Sequence, residues 1–288
     1  MPGKHESFPN VRDMATDRHI YIRKLGGLVV FSIAAPVVAL LYLMFFPDGE
    51  PDKCVSQGLC FCEQERRALV KQPANSYSNL IFNLLAPIFA FLYFRKFKLP
   101  RKAGETYPLK ENSFFELFFL YIYAGIGAGS FFFHASLSRV GGIMDVLAMN
   151  ALAGFIFSRA LTRFSDAPRR TFLPSFWIVF IVLSLLKIFL DRLDLELFGL
   201  ILASGALLEA VNASRGNSPR ALSWFLGGPA LFIPALVIWY LSRRAGDPIC
   251  RPDSLLQAHA LWHILCALAL ACYFQYVTLT PSGKKTGI

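Results

Sequence analysis

Eight long apolar runs dominate this sequence and restrict the chain to folds that cross a membrane. Crossing the roughly 30 Å hydrocarbon core of a bilayer takes about 20 mostly apolar residues in a helix. With 55% hydrophobic and 17% charged residues, the 288-residue chain has too little polar surface for a water-facing domain. We therefore expect an all-α, polytopic membrane helical bundle. The runs lie near 25–46, 76–94, 114–134, 142–162, 173–190, 196–212, 222–241 and 256–276.

The apolar runs also divide the chain into parts. The first run follows basic residues, as a signal peptide would, but its length and the lack of a small-residue cleavage site after Phe46 indicate a retained span. After this run, a helix is expected from Glu63 to Lys71, ending before Pro73. The expected parts are a polar tail (1–24), an extra N-terminal span (25–46), an acidic, cysteine-containing segment (47–75), a helical membrane domain (76–276) and a C-terminal tail (277–288).

The net charge of +10 favours an orientation in the membrane over a nucleic-acid partner. Lys and Arg residues lie in short loops between apolar runs, not along one soluble face. Of the 29 Lys and Arg residues, 19 fall on the side that holds both termini, counting the segment 159–172. Because basic loops stay in the cytoplasm, both termini are expected there.

Four of the six cysteines lie in loops, and all four fall on the expected non-cytoplasmic side, where disulfides persist. They are Cys54, Cys60, Cys62 and Cys250. Sequence alone does not fix their connectivity, but we favour a disulfide between Cys62 and Cys250. The alternative is four free thiols near the membrane interface.

Three histidines within or beside the spans stand out, because ionisable groups are costly in a bilayer. His259 and His263 lie four residues apart, so their imidazoles share one helix face, which suits either a metal ion or a packing pair. The alternation of spans places both at the same depth as His134 and Asp145. The two remaining histidines precede the first span and are expected to be solvated.

Three imidazoles and one open position form a catalytic zinc site, in which bound water is acidified to a pKa of about 7. Asp145 has two roles open to it: general acid and base, or the residue that fixes the tautomer of a ligating histidine. Ser130 precedes His134 by one helical turn, so its hydroxyl is placed to contact the bound water or an oxyanion. The alternative for Ser130 is a small residue in a closely packed, Gly-rich helix.

Other polar residues in the spans have plainer explanations. Asn75, Asn79 and Asn83 follow helical spacing and are expected to form interhelical hydrogen bonds, with a role behind the zinc ligands as the alternative. Glu116 and Glu209 are expected near the cytoplasmic interface.

Three separated motifs contain these polar residues: GAGSFFFHASLSRVGGIMD at 127–145, QAHALWHIL at 257–265 and CEQERRALVKQPANSYSN at 62–79. In order and spacing, they resemble the alkaline ceramidase family. The resemblance implies a seven-helix core in spans two to eight, with span one as an addition. It also implies zinc held by His134, His259 and His263, and hydrolysis of the ceramide amide with Ser130 and Asp145 assisting. The wider superfamily includes adiponectin-type receptors, which share the zinc geometry.

The resemblance also raises a calcium site in the segment before the first core helix. Glu63 matches one family ligand, and Glu65 stands where an Asn is usual. Cys60 replaces an Asp, and Gln72 stands where a Glu is expected. Calcium takes six to eight oxygen ligands, so this chain offers fewer ligands than the family pattern.

The sequence thus predicts a zinc-dependent membrane hydrolase that cleaves the amide of ceramide or another N-acyl lipid, with its site toward the non-cytoplasmic side. The first alternative is a non-catalytic, receptor-like protein with a structural zinc ion. A metal transporter is a weaker alternative, since no second chain of polar ligands leads from the histidines to the cytoplasm. The oligomeric state and the acyl-chain preference stay open.

Overall fold

The computed structural model describes residues 11–47, 49–58, 60–95, 109–190, 194–215, 218–243 and 246–280. These residues form helices and no named strand, as expected for an all-α bundle. The helices are α1 (Val11–Phe45), α2 (Lys53–Ser56), α3 (Pro73–Ser78), α4 (Leu80–Arg95), α5 (Leu109–Ser136), α6 (Arg139–Thr162), α7 (Pro168–Leu190), α8 (Asp194–Ser214), α9 (Pro219–Leu241) and α10 (Ala258–Leu279).

Among the described residues, eight helical segments are long and apolar enough to cross a membrane, which confirms the predicted polytopic bundle. Helices α3 and α4 together form one of these segments, Pro73–Arg95. Many large apolar side chains on α1, α7 and α9 are exposed on the protein, which is the expected state of a surface that contacts lipid. Examples are Val30, Ile178 and Ile233.

Helix α5 lies at the centre of the bundle, with Phe119, Leu120 and Tyr123 fully buried. It packs against α1, α4 and α6, while α6 packs against α7 and α8, and α10 against α9. A glycine allows close approach between α5 and α6, because a Cβ added at Gly129 would lie 2.9 Å from the carbonyl oxygen of Met144. Small residues permit such backbone contact between membrane helices.

The predicted helix from Glu63 to Lys71 is wrong. This stretch is irregular, and its last residue and the residue that follows bond through their backbones to the end of α5. The N–H of Lys71 donates to the carbonyl of Ala135 at 3.0 Å, and that of Gln72 to the carbonyl of His134 at 3.1 Å. Helix α3 begins only at Pro73, a residue suited to the first helical position.

The structure describes part of each predicted tail. Helix α1 begins at Val11, within the stretch predicted as a polar tail. Residues 1–10, and residues 281–288 of the predicted C-terminal tail, lie outside the described residues.

One end of the bundle, which we call the arginine end, is built on Arg159, Glu209, Tyr273, Tyr276 and Thr280. Arg159 and Glu209 form an ion pair with an N–O distance of 2.6 Å, and both side chains are fully buried. Arg159 is therefore not the loop charge that the count of Lys and Arg assumed. Glu209 and Glu116, expected near the interface, are also buried in the bundle.

Candidate metal centre

Three histidines from α5 and α10 meet at the opposite end of the bundle, which we call the histidine end. His134, His259 and His263 are only 1%, 2% and 5% exposed. Each offers one nitrogen, and these nitrogens lie within 4.8 Å of one another. The Nε2 atoms of His134 and His259 are 3.3 Å apart. The expected convergence of the three imidazoles is therefore observed.

Helix ends place these side chains. His134 lies in the last turn of α5, and the N–H of Leu137, the residue after this helix, donates to the carbonyl of Phe133 at 2.7 Å. His259 lies in the first turn of α10, and His263 follows one turn later on the same face. The start of α10 thus brings His259 and His263 to the end of α5, where His134 lies.

Gln72 fixes the ring of His134. The Gln72 amide nitrogen donates to the carbonyls of Cys60 (2.9 Å) and Glu63 (2.7 Å), which sets the orientation of the amide group. Its oxygen then lies 2.9 Å from His134 Nδ1 and accepts the Nδ1 hydrogen. This tautomer leaves the Nε2 lone pair of His134 free for a metal ion.

The Ser78 hydroxyl holds the ring of His263. It donates to the carbonyl of Asn75 at 2.9 Å, so it accepts from His263 Nδ1, 2.8 Å away. The Asn79 amide nitrogen lies 3.1 Å from the same Nδ1 but donates to the carbonyl of Asn75 at 2.8 Å, and as a donor it does not accept the Nδ1 hydrogen. Asn79 therefore lies behind a predicted ligand, whereas Asn83 forms the expected interhelical bond, to the carbonyl of Ala124.

Phe61 covers the face of His259. Their ring centroids are 3.9 Å apart in a stacked arrangement, and Phe61 also lies 4.8 Å from the ring of His134. Among the described residues, no hydrogen-bond partner reaches the buried Nδ1 of His259. His259 is therefore held by an aromatic contact, whereas His134 and His263 have polar partners at Nδ1.

The two candidate calcium ligands have protein partners. Both oxygens of the buried Glu63 carboxylate accept backbone N–H groups at the start of α3, from Ala74 at 2.9 Å and Asn75 at 2.8 Å. Burial raises the pKa of Glu63, against the opposing effect of these hydrogen bonds. Glu65 forms an ion pair of 2.9 Å with Lys71. Calcium binding stays a prediction.

Ser130 and Asp145 lie side by side where α5 and α6 approach at Gly129. The Ser130 side chain is buried and contacts the carboxyl group of Asp145, which is half-buried. Lys187 of α7 is close enough to interact electrostatically with that carboxyl group.

Two disulfides close the loops around the histidines. The predicted bond between Cys62 and Cys250 is confirmed, and a second joins Cys54 to Cys60. The roles of Gln72 and Phe61 beside the imidazoles were not predicted. The only sequence signal for Phe61 is its place between Cys60 and Cys62, whereas Gln72 is brought to His134 by the backbone bonds between this segment and the end of α5.

The residues present fit a metal ion. Three buried imidazoles converge, two have Nδ1 engaged, and the Nε2 atoms of His134 and His259 face each other, an arrangement that a shared cation stabilises. Three neutral nitrogen donors suit a borderline-soft divalent cation better than calcium or magnesium. The histidine cluster can therefore hold such an ion.

Comparison with known proteins gives the family. No curated protein matches the sequence. The family model described as Ceramidase matches residues 58–286, a stretch that starts after α1 and includes the three histidines, Ser130 and Asp145. Because this match covers most of the chain, the protein belongs to the ceramidase family.

Proposed function

We propose that this protein is a zinc-dependent membrane hydrolase that cleaves the amide bond of ceramide or a related N-acyl lipid. The convergence of His134, His259 and His263 carries the proposal, and membership of the ceramidase family supports an amide hydrolase. The catalytic domain is the seven-span part, 76–276. Helix α1 is an addition, in keeping with a family match that begins at residue 58.

The spacing of the imidazoles supports zinc as the metal. Zinc binds histidine nitrogen at about 2.0–2.1 Å in tetrahedral geometry, so two ligand nitrogens should lie about 3.3–3.4 Å apart. The Nε2 atoms of His134 and His259 are 3.3 Å apart. Three histidines also leave one of four positions open, as catalytic zinc requires.

Ser130 and Asp145 perform the proton chemistry in this proposal. When bound, zinc polarises a carbonyl group and makes water a nucleophile near neutral pH. The Asp145 carboxylate accepts the proton that the attacking water loses and delivers it to the nitrogen of the leaving amine. While Asp145 is a carboxylate, the single hydrogen of the Ser130 hydroxyl is donated to it. Once Asp145 carries the proton from water, that hydroxyl hydrogen is free to be donated to the carbonyl oxygen, where negative charge develops. Burial of the site keeps competing water away from these groups.

The histidine end faces the non-cytoplasmic side in this proposal, and both termini lie in the cytoplasm. The two disulfides lie at the histidine end, and disulfides persist in oxidising compartments. The excess of Lys and Arg on the opposite side agrees with this orientation. A lipid of the non-cytoplasmic leaflet is then nearest to the site.

Incubating the purified full chain with ceramides and other N-acyl lipids tests the proposal. We expect release of fatty acid and free amine that stops with a chelator and returns with zinc. His259→Ala should abolish the release, while His19→Ala, at a histidine that precedes the membrane spans, should retain it. Zinc bound at one ion per chain with the whole lipid panel intact would contradict hydrolysis and favour the receptor-like alternative.

A further inference from the structure

The segment from Gly49 to Cys62, without Leu59, which lies outside the described residues, forms a cap over the histidine end. Its start is fixed to the turn between α5 and α6. The N–H of Asp52 donates to the carbonyl of Leu137 at 2.9 Å, and the N–H of Arg139 donates to the carbonyl of Glu50 at 2.8 Å. The cap therefore begins attached to the helix that carries His134.

The other end of the cap is fixed covalently. Cys54 is bonded to Cys60, which closes a short loop inside the cap. Cys62 is bonded to Cys250, in the segment that leads into α10. Phe61 lies between the two cross-linked residues, so both of its neighbours are held in place.

The backbone conformation of Phe61 indicates that its neighbours hold it in place. Its φ angle is 59°, in the left-handed region that residues with a Cβ rarely adopt. Such a conformation is unfavourable and persists only when surrounding contacts hold it. It turns the aromatic ring onto His259 and His134.

We propose that Phe61 is a positioning residue that seals the metal site, with the two disulfides as its latch. The ring has no ligand atom, so it acts by excluding water and solutes from two of the three imidazoles. Metal exchange needs an incoming ligand to reach the ion, and the ring slows that approach. The inference rests on the metal site of the proposed function.

The rate of zinc loss tests this role without reference to hydrolysis. Purified, zinc-loaded full chain is mixed with excess hydrophilic chelator, and the zinc transferred is followed over time. We expect Phe61→Ala to lose zinc at least about tenfold faster than the unmodified chain, the scale at which residues behind metal ligands act. Phe61→Leu, which keeps apolar cover, should lose zinc at close to the original rate.

A glycine variant separates the ring from the backbone. Glycine adopts a positive φ freely, so Phe61→Gly should fold at least as well as Phe61→Ala yet lose zinc as quickly. Leu69→Ala, at an exposed residue of the neighbouring loop, is the control for faster zinc loss caused by any loss of packing in this segment. Equal zinc loss from Phe61→Ala and the unmodified chain would overturn the proposal.

The latch is tested with paired cysteine variants. The double variant Cys54→Ser, Cys60→Ser should speed zinc loss when Phe61 is present. In a chain that already has Phe61→Ala, the same two substitutions should not speed it further, because both changes act through the Phe61 ring. Cys272→Ser, at a cysteine without a disulfide, is the matched control. Equal acceleration in both backgrounds would overturn the latch.

These outcomes are distinct from failure of the proposed function. A chain that binds zinc, loses it faster on Phe61→Ala and hydrolyses no lipid supports the seal and contradicts the hydrolase. A chain that binds no zinc contradicts both.

Discussion

The two ends of the bundle each bury a polar cluster, but they satisfy it in different ways. At the arginine end, Arg159 and Glu209 neutralise each other at 2.6 Å. Tyr276 donates to the second Glu209 oxygen at 2.8 Å, and Thr280 accepts from Arg159 at 2.7 Å. At the histidine end, by contrast, the Nε2 atoms of two imidazoles face each other with no protein counterion among the described contacts.

This difference indicates what each cluster is for. The buried charges of Arg159 and Glu209 are satisfied by each other and by neighbouring side chains, so they need no ligand. This cluster is a structural contact that joins α6, α8 and α10. Converging lone pairs repel each other until a cation lies between them, so the histidine end is complete only with a ligand. We therefore expect changes at the arginine end to alter stability, and changes at the histidine end to alter metal binding.

Loss of a histidine ligand is the largest expected effect. His263→Ala should remove zinc from the purified chain and lower hydrolysis at least about 10³-fold, since a metal ion contributes several kcal/mol of transition-state stabilisation. Zinc content and lipid release are the two measurements. Helix content by circular dichroism should stay unchanged, and collapse of the helices would show that the cluster is structural instead.

Breaking the ion pair should produce the opposite pattern. Glu209→Ala leaves Arg159 buried without its counterion, which costs about 3–5 kcal/mol of folding stability. We expect a clear fall in the thermal midpoint with zinc still bound to the folded fraction. Replacing both residues by Met should restore most of the stability, because no buried charge is left. Zinc loss from the folded Glu209→Ala protein would contradict the claim that the arginine end affects stability and not metal binding.

A change behind the metal ligands should have an intermediate effect. Gln72→Met removes the acceptor for His134 Nδ1 while keeping a side chain of similar length. Zinc affinity should fall about 10–100-fold, as measured by competition with a chelator of known affinity. Gln64→Met, at an exposed glutamine of the same loop, should leave the affinity unchanged. Equal affinities for the two variants would show that Gln72 does not orient the ligand.

The smallest effect is expected for a helix cap beside the site. The Ser138 hydroxyl accepts from the N–H of Gly141 and caps α6. Ser138→Ala should cost about 1 kcal/mol in unfolding free energy, and Ser138→Gly only a few tenths. Neither should change zinc affinity, because Ser138 contacts none of the three histidines in the described structure. A fall in zinc affinity would extend the metal site to the turn between α5 and α6.

Features that follow local periodicity were predictable from the sequence. Hydropathy located the spans, since a bilayer demands about 20 apolar residues in each. The spacing of His259 and His263, together with the alternation of spans, predicted that the three imidazoles converge, as they do. The roles of Asp145 and Ser130, which came from the same reasoning, stay predictions.

Features fixed by distant contacts were not predictable. The stretch from Glu63 to Lys71 has the composition of a helix, but its backbone bonds to α5 and its neighbours are held by disulfides. Phe61 reaches the histidines only through that arrangement. Arg159 looked like a loop charge because its partner Glu209 lies 50 positions away, on another helix.

Helix α10 contributes to both clusters, and this has a consequence for biosynthesis. It supplies His259 and His263 near its start and Tyr273 and Tyr276 near its end. A ribosome makes α10 after α1 to α9, so a nascent chain that lacks it has one of the three histidines at one end and an ion pair without its tyrosine partners at the other. Under the proposed function, lipid cleavage and full stability would then begin together, when α10 inserts, and a chain without α10 could not attack the membrane that holds it.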